Sequence, residues 1–368
     1  MERAWIDHVF SLDRPVFALA RIRRATVLLD REGMKNLFEK GAETRARPID
    51  SLRGRGGSLR SRTEAAAVHL ASSRWRGIPD SKELSRALGA EPRYLATGHA
   101  GLDARCLGAI SGLPGARTAV LVHDTIPLDL PETQKAGAAD RFRLKLGWVA
   151  RAADLVIAPA RATALDIERH LSAMGSRATT VVSRPGVTVS APGPVPRAVP
   201  AGRPFFVALG TIEPRKNHAL LLDLWEKPAA LPGAPMLVIA GRRGWRNDAV
   251  FRRLDALAGG GDVAELNDLD DTAVAGLLKS ANALLFPSFA EGFGYPPLEA
   301  ACLGTQVVAS PLPQTRELLG DTVIYADPGE LYQWRQAIEG LAGPRAEKDV
   351  PPLPTWRDHF NMVLNSLG

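Results

Sequence analysis

The sequence predicts an α/β protein of two doubly wound parallel-sheet domains that face a central cleft. The first observation is length, since 368 residues exceed one ordinary hydrophobic core and favour two domains. The second is a repeated alternation of short apolar runs with helical stretches, which is typical of a parallel sheet covered on both faces. The third is a proline- and glycine-rich segment, residues 184–204, at which the alternation stops before it starts again.

Residues 1–190 are predicted to form the first, Rossmann-like domain. Its early elements are a helix at 2–10, strands at 16–20 and 25–30, and helices at 31–40 and 63–73. Residues 41–61 are polar and rich in arginine and glycine, which indicates an exposed loop or a disordered insertion. The predicted parallel strands are YLATGH (94–99), TAVLVHD (118–124) and DLVIAPA (154–160).

Residues 200–345 are predicted to form the second domain. Its strands are FFVALGT (205–211), MLVIAG (236–241), ANALLFP (281–287), QVVAS (306–310) and TVIYAD (322–327). Asp270 and Asp271 are suited to cap the helix that follows them. Residues 346–368 contain a last predicted helix that packs back onto the first domain.

Composition limits the kinds of protein that this chain can be. Its two cysteines, Cys106 and Cys302, are too few for a disulfide framework or a zinc site. No run approaches the roughly 18 apolar residues of a membrane span, and MERAWIDHVF lacks a signal-peptide core. We therefore expect a cytoplasmic protein, with peripheral contact at the inner face of a membrane as an alternative.

Charge is divided unevenly between the two halves of the chain. Residues 1–190 hold 30 Lys and Arg against 20 Asp and Glu, whereas residues 191–368 hold 16 against 20. A basic surface attracts anionic lipid or phosphorylated substrates, although the excess of arginine is equally consistent with a compositional bias. No aromatic residues are interleaved with the basic ones and no zinc finger is present, so nucleic acid is not an expected partner.

A strand, a glycine-rich loop and a helix follow one another from Phe286 to Ala300. Glu291 lies in the loop and Glu299 lies in the helix, whose first positions suit Pro296 and Pro297. Free backbone N–H groups, the positive end of a helix dipole and carboxylates then face one crevice. Such a crevice suits a ligand with an anionic group and several hydroxyls.

The segment EPRKN, residues 213–217, lies between a predicted strand and the next helix. There Arg215 can bind a phosphate with two parallel hydrogen bonds, Lys216 adds a second positive charge, and Asn217 caps the helix. A charged turn without function is the alternative interpretation. The position at a strand's carboxyl end favours a phosphate site.

These motifs resemble those of a known enzyme family. GTIEPRKN (210–217), EGFGYPPLEA (291–300) and GTQVVAS (304–310) are similar to the C-terminal domain of family 4 retaining glycosyltransferases, the glycosyl transferases group 1, whose architecture is named GT-B. The resemblance covers residues 205–330. It extends more loosely to LVHDTIPLDLPE (121–132) and ADLVIAPARATALDI (153–167).

The resemblance implies a nucleoside-diphosphate-sugar donor and a glycan or lipid-linked acceptor. Glu299 would bind the ribose hydroxyls of the donor, Glu291 would contact the transferred sugar, and Leu269 would lie beside the nucleobase. Arg215 and Lys216 would neutralise the diphosphate. The resemblance then implies that no cofactor and no metal ion is required, because these two cations take the place of a metal ion.

The glycine loop has an implied role of its own. The backbone of Gly292, Phe293 and Gly294 would approach the sugar and the diphosphate, because glycine allows a ligand to come close to the chain.

His123 ends a strand at the edge that faces the expected cleft. With Glu291 it is the candidate catalytic residue, through contact with the donor sugar or help in deprotonating the acceptor. The alternative is a structural histidine whose imidazole bonds a loop backbone. His99 is a weaker candidate at another strand end. Retaining enzymes of this type lack an agreed general base, so attack from the face of the departing diphosphate is the implied course.

Family members commonly open with a strand and a glycine-bearing loop, whereas this chain begins at what resembles the following helix. We expect that the recorded start is internal to the reading frame, or that the element is lost. The loss makes a catalytically silent sugar-nucleotide-binding protein an alternative. A nucleotide-sugar epimerase or a phosphorylase on the same scaffold is another.

Overall fold

The computed structural model describes residues 2–22, 25–39, 59–89, 91–98, 102–226, 231, 233–344 and 350–368. The strands are β1 (Phe17–Ile22), β2 (Ala25–Asp30), β3 (Ser73–Arg76), β4 (Arg93–Ala96), β5 (Arg117–Leu121), β6 (Leu155–Ala158), β7 (Thr179–Val182), β8 (Phe205–Leu209), β9 (Met236–Ala240), β10 (Val263–Leu266), β11 (Ala283–Phe286), β12 (Gln306–Ala309) and β13 (Ile324–Tyr325).

Helices follow most of the strands. They are α1 (Glu2–Ser11), α2 (Arg31–Glu39), α3 (Leu59–His69), α4 (Ser81–Leu88), α5 (Ala104–Ser111), α6 (Ile126–Asp129), α7 (Ala138–Ala152), α8 (Arg161–Ala173), α9 (His218–Trp225), α10 (Asp248–Leu257), α11 (Asp271–Ser280), α12 (Tyr295–Cys302), α13 (Pro313–Leu319), α14 (Leu331–Leu341) and α15 (Trp356–Leu367). None of the helices in these ranges is long and apolar enough to cross a bilayer.

The first three strands form a small antiparallel sheet of their own, in the order β1-β2-β3. Two residues separate β1 from β2, and so short a connection permits only antiparallel pairing. The helix expected at 63–73 begins at Leu59 and ends at His69, because β3 begins at Ser73 and pairs with β2. The insertion expected at 41–61 lies mostly outside the described residues.

A parallel sheet in the order β4-β5-β6-β7 follows. Because the strands are added in sequence order, right-handed crossovers place α5, α7 and α8 on one face, where Val120 and Val156 are buried. The opposite face presents Leu121 and Ile157, and the two ends of the chain cover it. Trp5 from α1 and Phe360 from α15 pack there.

The second parallel sheet has the order β10-β9-β8-β11-β12-β13. The order of addition reverses between β8 and β11, which makes their carboxyl ends the topological switch point where open α/β sheets bind ligands. The predicted parallel α/β architecture is therefore confirmed. The sequence did not reveal β7 and β10, which are edge strands with only partly buried, short patterns.

Several contacts join the two parallel-sheet parts. Glu317 of α13 accepts hydrogen bonds from the backbone N–H groups at the start of α8 and forms an ion pair with Arg184. On the other side, the indole Nε1–H of Trp245 donates to the carbonyl of Thr133 at 3.0 Å.

Candidate active site

The two candidate segments lie at the switch point of the second sheet. EPRKN follows β8, where Pro214–Lys216 forms a short 3₁₀ turn, and the glycine loop follows β11. The backbone N–H of Phe289 donates to the carbonyl of Arg215 at 2.8 Å, which holds the loop against the turn. Residues separated by about 75 positions are thus brought into one crevice.

Ion pairs connect the turn to Glu291. Lys216 Nζ lies 2.6 Å from Glu291 Oε1, and Arg215 Nη1 lies 2.8 Å from the same oxygen. Arg215 Nη1 also donates to the carbonyl of Ala290 at 2.9 Å, while its Nε lies 2.7 Å from Glu213 Oε1. Arg215 is therefore held from both sides.

Burial and pairing act together on these groups. Burial alone would raise the pKa of Glu291, but the charges of Lys216 and Arg215 outweigh it and hold that pKa below its usual range. Burial, together with the neighbouring charge of Arg215, lowers the pKa of Lys216 despite its pairing with Glu291. Glu291 is consequently ionised in this structure, and its carboxylate forms ion pairs with both candidate phosphate-binding cations.

At Gly292 the glycine loop comes into close contact with the end of β5. A Cβ atom there would lie 2.1 Å from the carbonyl oxygen of His123 and 2.9 Å from Cβ of Asp124. The hydroxyl of Thr163, in α8, donates to the carbonyl of Gly292. Only glycine permits this approach, which brings the glycine loop against the carboxyl ends of β5 and β6.

The remainder of the loop leads into α12. Gly294 adopts a φ of +93°, a conformation that favours glycine, and Phe293 is buried with its ring 5.1 Å from that of Tyr295. Pro296 and Pro297 occupy early positions of α12, as expected from the sequence.

Glu299 and Leu269 lie beyond the ion-pair network. Glu299 is partly buried in α12, and burial followed by the like charge of Asp271 raises its pKa. No hydrogen bond or ion pair joins its carboxylate to another residue within the described ranges. Leu269 lies just before α11, which packs beside α12, and its side chain contacts the buried face of the sheet.

Two cap predictions have different outcomes. Asp270 accepts a hydrogen bond from the backbone N–H of Ala273 and caps α11, as expected. Asn217 makes no side-chain cap to α9, because its amide donates instead to the carbonyl of Pro328 at 3.0 Å. Its left-handed φ of 53° explains the residue type, since asparagine tolerates this conformation.

His123 reaches the cleft from the first parallel sheet. Its Nε2 lies 3.1 Å from the carbonyl oxygen of Thr97. This is the contact expected if His123 is a structural histidine whose imidazole bonds a loop backbone. Asp124 accepts a hydrogen bond from the backbone N–H of Ile126 at 3.1 Å, and burial raises its pKa. His99 lies outside the described residues.

Sequence reasoning did not assign roles to Glu213, Asp124 and Thr163. Glu213 is only 3% exposed, and its position two residues before Arg215 was the available signal. Thr163 and Asp124 gave no such signal, since their contacts with Gly292 depend on how the two sheets face one another. Within the described ranges, no group of three or more His, Cys, Asp or Glu side chains is placed to hold a metal ion.

Comparison with known proteins identifies a family for the part of the chain that holds these segments. The family model described as glycosyl transferases group 1 matches residues 195–341, which include the turn, the glycine loop and the whole second sheet. Residues 195–341 belong to the glycosyl transferases group 1 family. Glu291, Glu299, Arg215 and Lys216 all lie within these matched residues.

The sequence relatives include two enzymes of Escherichia coli. The chain is 28% identical over 279 residues to the serotype-specific mannosyltransferase WbdA, covering 69% of this chain and 34% of the relative. It is 33% identical over 128 residues to the O-antigen chain mannosyltransferase B, covering 34% of each chain. The chain thus spans about a third of the length of these relatives.

Among solved structures, the chain is similar to Anabaena Alr3699/HepE in complex with UDP-glucose. The TM-score is 0.56 at 16% identity, over 84% of this chain and 90% of the other. At this identity the likeness concerns the fold, which is GT-B.

Proposed function

We propose that this chain is a retaining glycosyltransferase that moves a sugar from a nucleoside diphosphate sugar to a glycan or lipid-linked acceptor. The observation that carries the proposal is the pairing of Arg215 and Lys216 with Glu291 beneath the glycine loop. Two cations for a leaving diphosphate and a carboxylate for sugar hydroxyls are thereby in direct contact. The mannosyltransferase relatives support a role in the synthesis of cell-surface polysaccharide.

Bond cleavage at the donor sugar places negative charge on the departing diphosphate. Arg215 and Lys216 stabilise that charge in a crevice with little access to water, where electrostatic attraction is stronger than in bulk solvent. They supply the positive charge that other glycosyltransferases obtain from a metal ion, so we propose a metal-independent reaction. Glu291 releases the two cations when the diphosphate arrives and accepts hydrogen bonds from the sugar hydroxyls instead.

The glycine loop and α12 orient the donor. Gly292 packs against the end of β5, and we assign the close approach of the sugar and its diphosphate to the backbone of Gly292, Phe293 and Gly294. Glu299 binds the ribose hydroxyls, for which its carboxylate is suited because no ion pair occupies it among the described residues. Leu269, on the neighbouring loop, forms an apolar contact with the nucleobase.

The acceptor approaches from the side of the first sheet. His123 and Asp124 lie there, next to Gly292. We assign this side of the crevice to the face of the sugar from which the diphosphate leaves. An acceptor hydroxyl that attacks from this face gives retention of the anomeric configuration. His123 positions the donor sugar or the acceptor hydroxyl, with no requirement that it remove the proton itself.

The proposal is tested by incubating the protein with UDP-, GDP- and ADP-sugars and with polysaccharide or lipid-linked acceptors. We expect acceptor-dependent release of a nucleoside diphosphate, and NMR of the product should show the anomeric configuration of the donor. An isomerised donor without transfer would favour the epimerase alternative. Transfer that requires inorganic phosphate would favour a phosphorylase, and binding without turnover would favour a silent binding protein.

We also propose that the first domain contacts an anionic membrane surface peripherally. On α7, Arg141 and Leu144 lie one helical turn apart and are both exposed, which combines positive charge with an apolar side chain. The test is sedimentation with acidic and with neutral liposomes at low and physiological salt. Binding to acidic liposomes that weakens with salt supports the proposal, and absence of binding in all conditions contradicts it.

A further inference from the structure

The buried ion-pair network is electrically neutral. Glu213 and Glu291 each carry a negative charge, and Arg215 and Lys216 each carry a positive one. The diphosphate of a nucleotide sugar brings two further negative charges. A neutral cluster has no surplus positive charge to offer them, so binding requires that a carboxylate is displaced or takes up a proton.

Of the four residues in the network, Glu213 is the one whose carboxylate is least fully paired. Its Oε1 lies 2.7 Å from Arg215 Nε, but its Oε2 is buried and has no hydrogen-bond partner within the described ranges. A buried carboxylate oxygen without a partner is costly, and the cost rises when the neighbouring cation turns toward another anion. Protonation of Oε2 removes the charge and turns that oxygen into a donor.

We propose that binding of a nucleoside diphosphate sugar is coupled to the uptake of one proton from solvent by Glu213. This inference rests on the proposed function of the site. A neutral Glu213 still accepts a hydrogen bond from Arg215 Nε through its carbonyl oxygen, so the guanidinium stays in position. The Nη groups of Arg215 and the ammonium of Lys216 then leave Glu291 and bind the diphosphate. Because Glu213 is neutral, it no longer cancels one of these two positive charges.

The surroundings of Glu213 are consistent with this exchange. Burial raises its pKa, Arg215 and Lys216 oppose that effect, and Glu291 adds to it. Asp124 is close enough to Arg215 and His123 to feel their charges, and His218 is close enough to Lys216 to feel its charge. When Arg215 and Lys216 bind a diphosphate, the two charges that hold Glu213 ionised are shared with a dianion.

The turn after β9 also packs against Glu213, at Gly244. Its cations have other partners: Arg242 pairs with Asp268, Arg243 with Asp255 and Glu265, and Arg246 donates to the carbonyl of Gln134. They therefore do not neutralise Glu213. Asp124, whose pKa burial also raises, is the rival acceptor for the proton.

Calorimetry measures proton uptake directly. UDP-glucose and GDP-mannose are suitable probes, because their diphosphate diesters do not titrate near neutrality and any proton exchanged belongs to the protein. Binding enthalpies measured in buffers of different ionisation enthalpy should reveal uptake of about one proton, and the dissociation constant should rise about tenfold per pH unit above neutrality. Glu213→Gln, which keeps the contact to Arg215 Nε, should abolish both effects, whereas Asp124→Asn should retain them.

The outcomes are distinguishable. Binding of a nucleotide sugar without proton uptake, or uptake that persists in Glu213→Gln, overturns the inference and leaves the proposed function intact. Failure of both probes to bind the wild-type protein overturns the inference and counts against the proposed function as well. If Glu213→Gln does not fold, infrared difference spectra of the wild-type protein and of Asp124→Asn decide, since binding should produce the C=O band of a protonated carboxyl group in both, and a band lost in Asp124→Asn overturns the inference.

Discussion

Lys216 Nζ lies 2.6 Å from Glu291 Oε1 and joins the turn after β8 to the glycine loop after β11. The lysine side chain is 10% exposed and the glutamate side chain 9%. The ammonium also lies 4.6 Å from the centre of the Phe286 ring, a cation–π contact from the strand that leads into the loop. This buried pair is the structural basis on which the candidate donor site rests.

The first prediction concerns Lys216. Lys216→Ala should lower kcat/KM for the donor. The decrease should correspond to a loss of about 1 to 3 kcal/mol of transition-state stabilisation, which is the scale of a lost charged hydrogen bond. Arg215 remains as a partner for Glu291, so the fold should be retained. Initial rates at subsaturating donor measure the effect. Lys82→Ala, at an exposed position of α4, is the matched control and should be neutral.

The second prediction concerns Glu299. Glu299→Ala should also weaken use of the donor by about 1 to 3 kcal/mol, because the ribose hydroxyls would lose their acceptor. Since the carboxylate makes no ion pair within the described residues, the thermal stability of the variant should not fall. Glu339→Ala removes an exposed helical carboxylate of α14 and provides the comparison. Equal donor KM values in Glu299→Ala and Glu339→Ala would show that Glu299 does not bind the donor.

The third prediction concerns Gly292. In Gly292→Ala the new methyl group would lie 2.1 Å from the carbonyl oxygen of His123, so the glycine loop and the first sheet must move apart. We expect loss of activity and a destabilisation of about 1 to 3 kcal/mol. Gly340→Ala is the control, because nothing lies within 4 Å of its Cβ position. That change in α14 should stabilise the helix by up to about 1 kcal/mol.

The fourth prediction concerns pH. Burial lowers the pKa of His218 and that of His359 to about 4, from an ordinary value of 6.5. Below pH 6.5 these histidines bind protons in the unfolded chain but stay neutral in the folded chain. The free energy of unfolding therefore falls as the pH drops from 6.5 toward 4. Each histidine should cost about 2 kcal/mol at about pH 5.

Urea unfolding at about pH 7.5 and about pH 5 measures this loss. His359→Gln should reduce the difference between the two midpoints, since a glutamine does not titrate. The buried hydrogen bond between Ser183 and His359 will weaken the variant at both pH values. An unchanged pH difference would mean that His359 is not the group responsible.

Sequence reasoning identified the features that depend on local pattern. Continuous apolar runs predicted the buried strands β8, β9 and β11, and the residues at their carboxyl ends then followed from the geometry of parallel sheets. This rule alone predicts that Arg215, Lys216 and Glu291 lie near one another. Edge strands such as β7 and β10 escaped detection because their patterns are short and only partly buried.

Contacts between the two sheets were beyond the reach of the sequence. Nothing in residues 121–132 indicates that the carbonyl of His123 faces Gly292, because that approach depends on the relative placement of two folded parts. The same holds for the bond between Trp245 and Thr133. Glu213 was visible in the motif, but its role as a partner of Arg215 Nε required side-chain geometry.

The most direct test of the central claim is a thermal-shift titration of the wild-type protein and Lys216→Ala with UDP-, GDP- and ADP-sugars. A donor at about 100 times its dissociation constant should stabilise the wild-type protein by about 2.7 kcal/mol, which corresponds to several degrees in Tm. We predict that at least one of these nucleotide sugars raises the Tm of the wild-type protein and does so less for Lys216→Ala. If none of them shifts the Tm at millimolar concentration, or if both proteins respond equally, Arg215, Lys216 and Glu291 do not form a donor site.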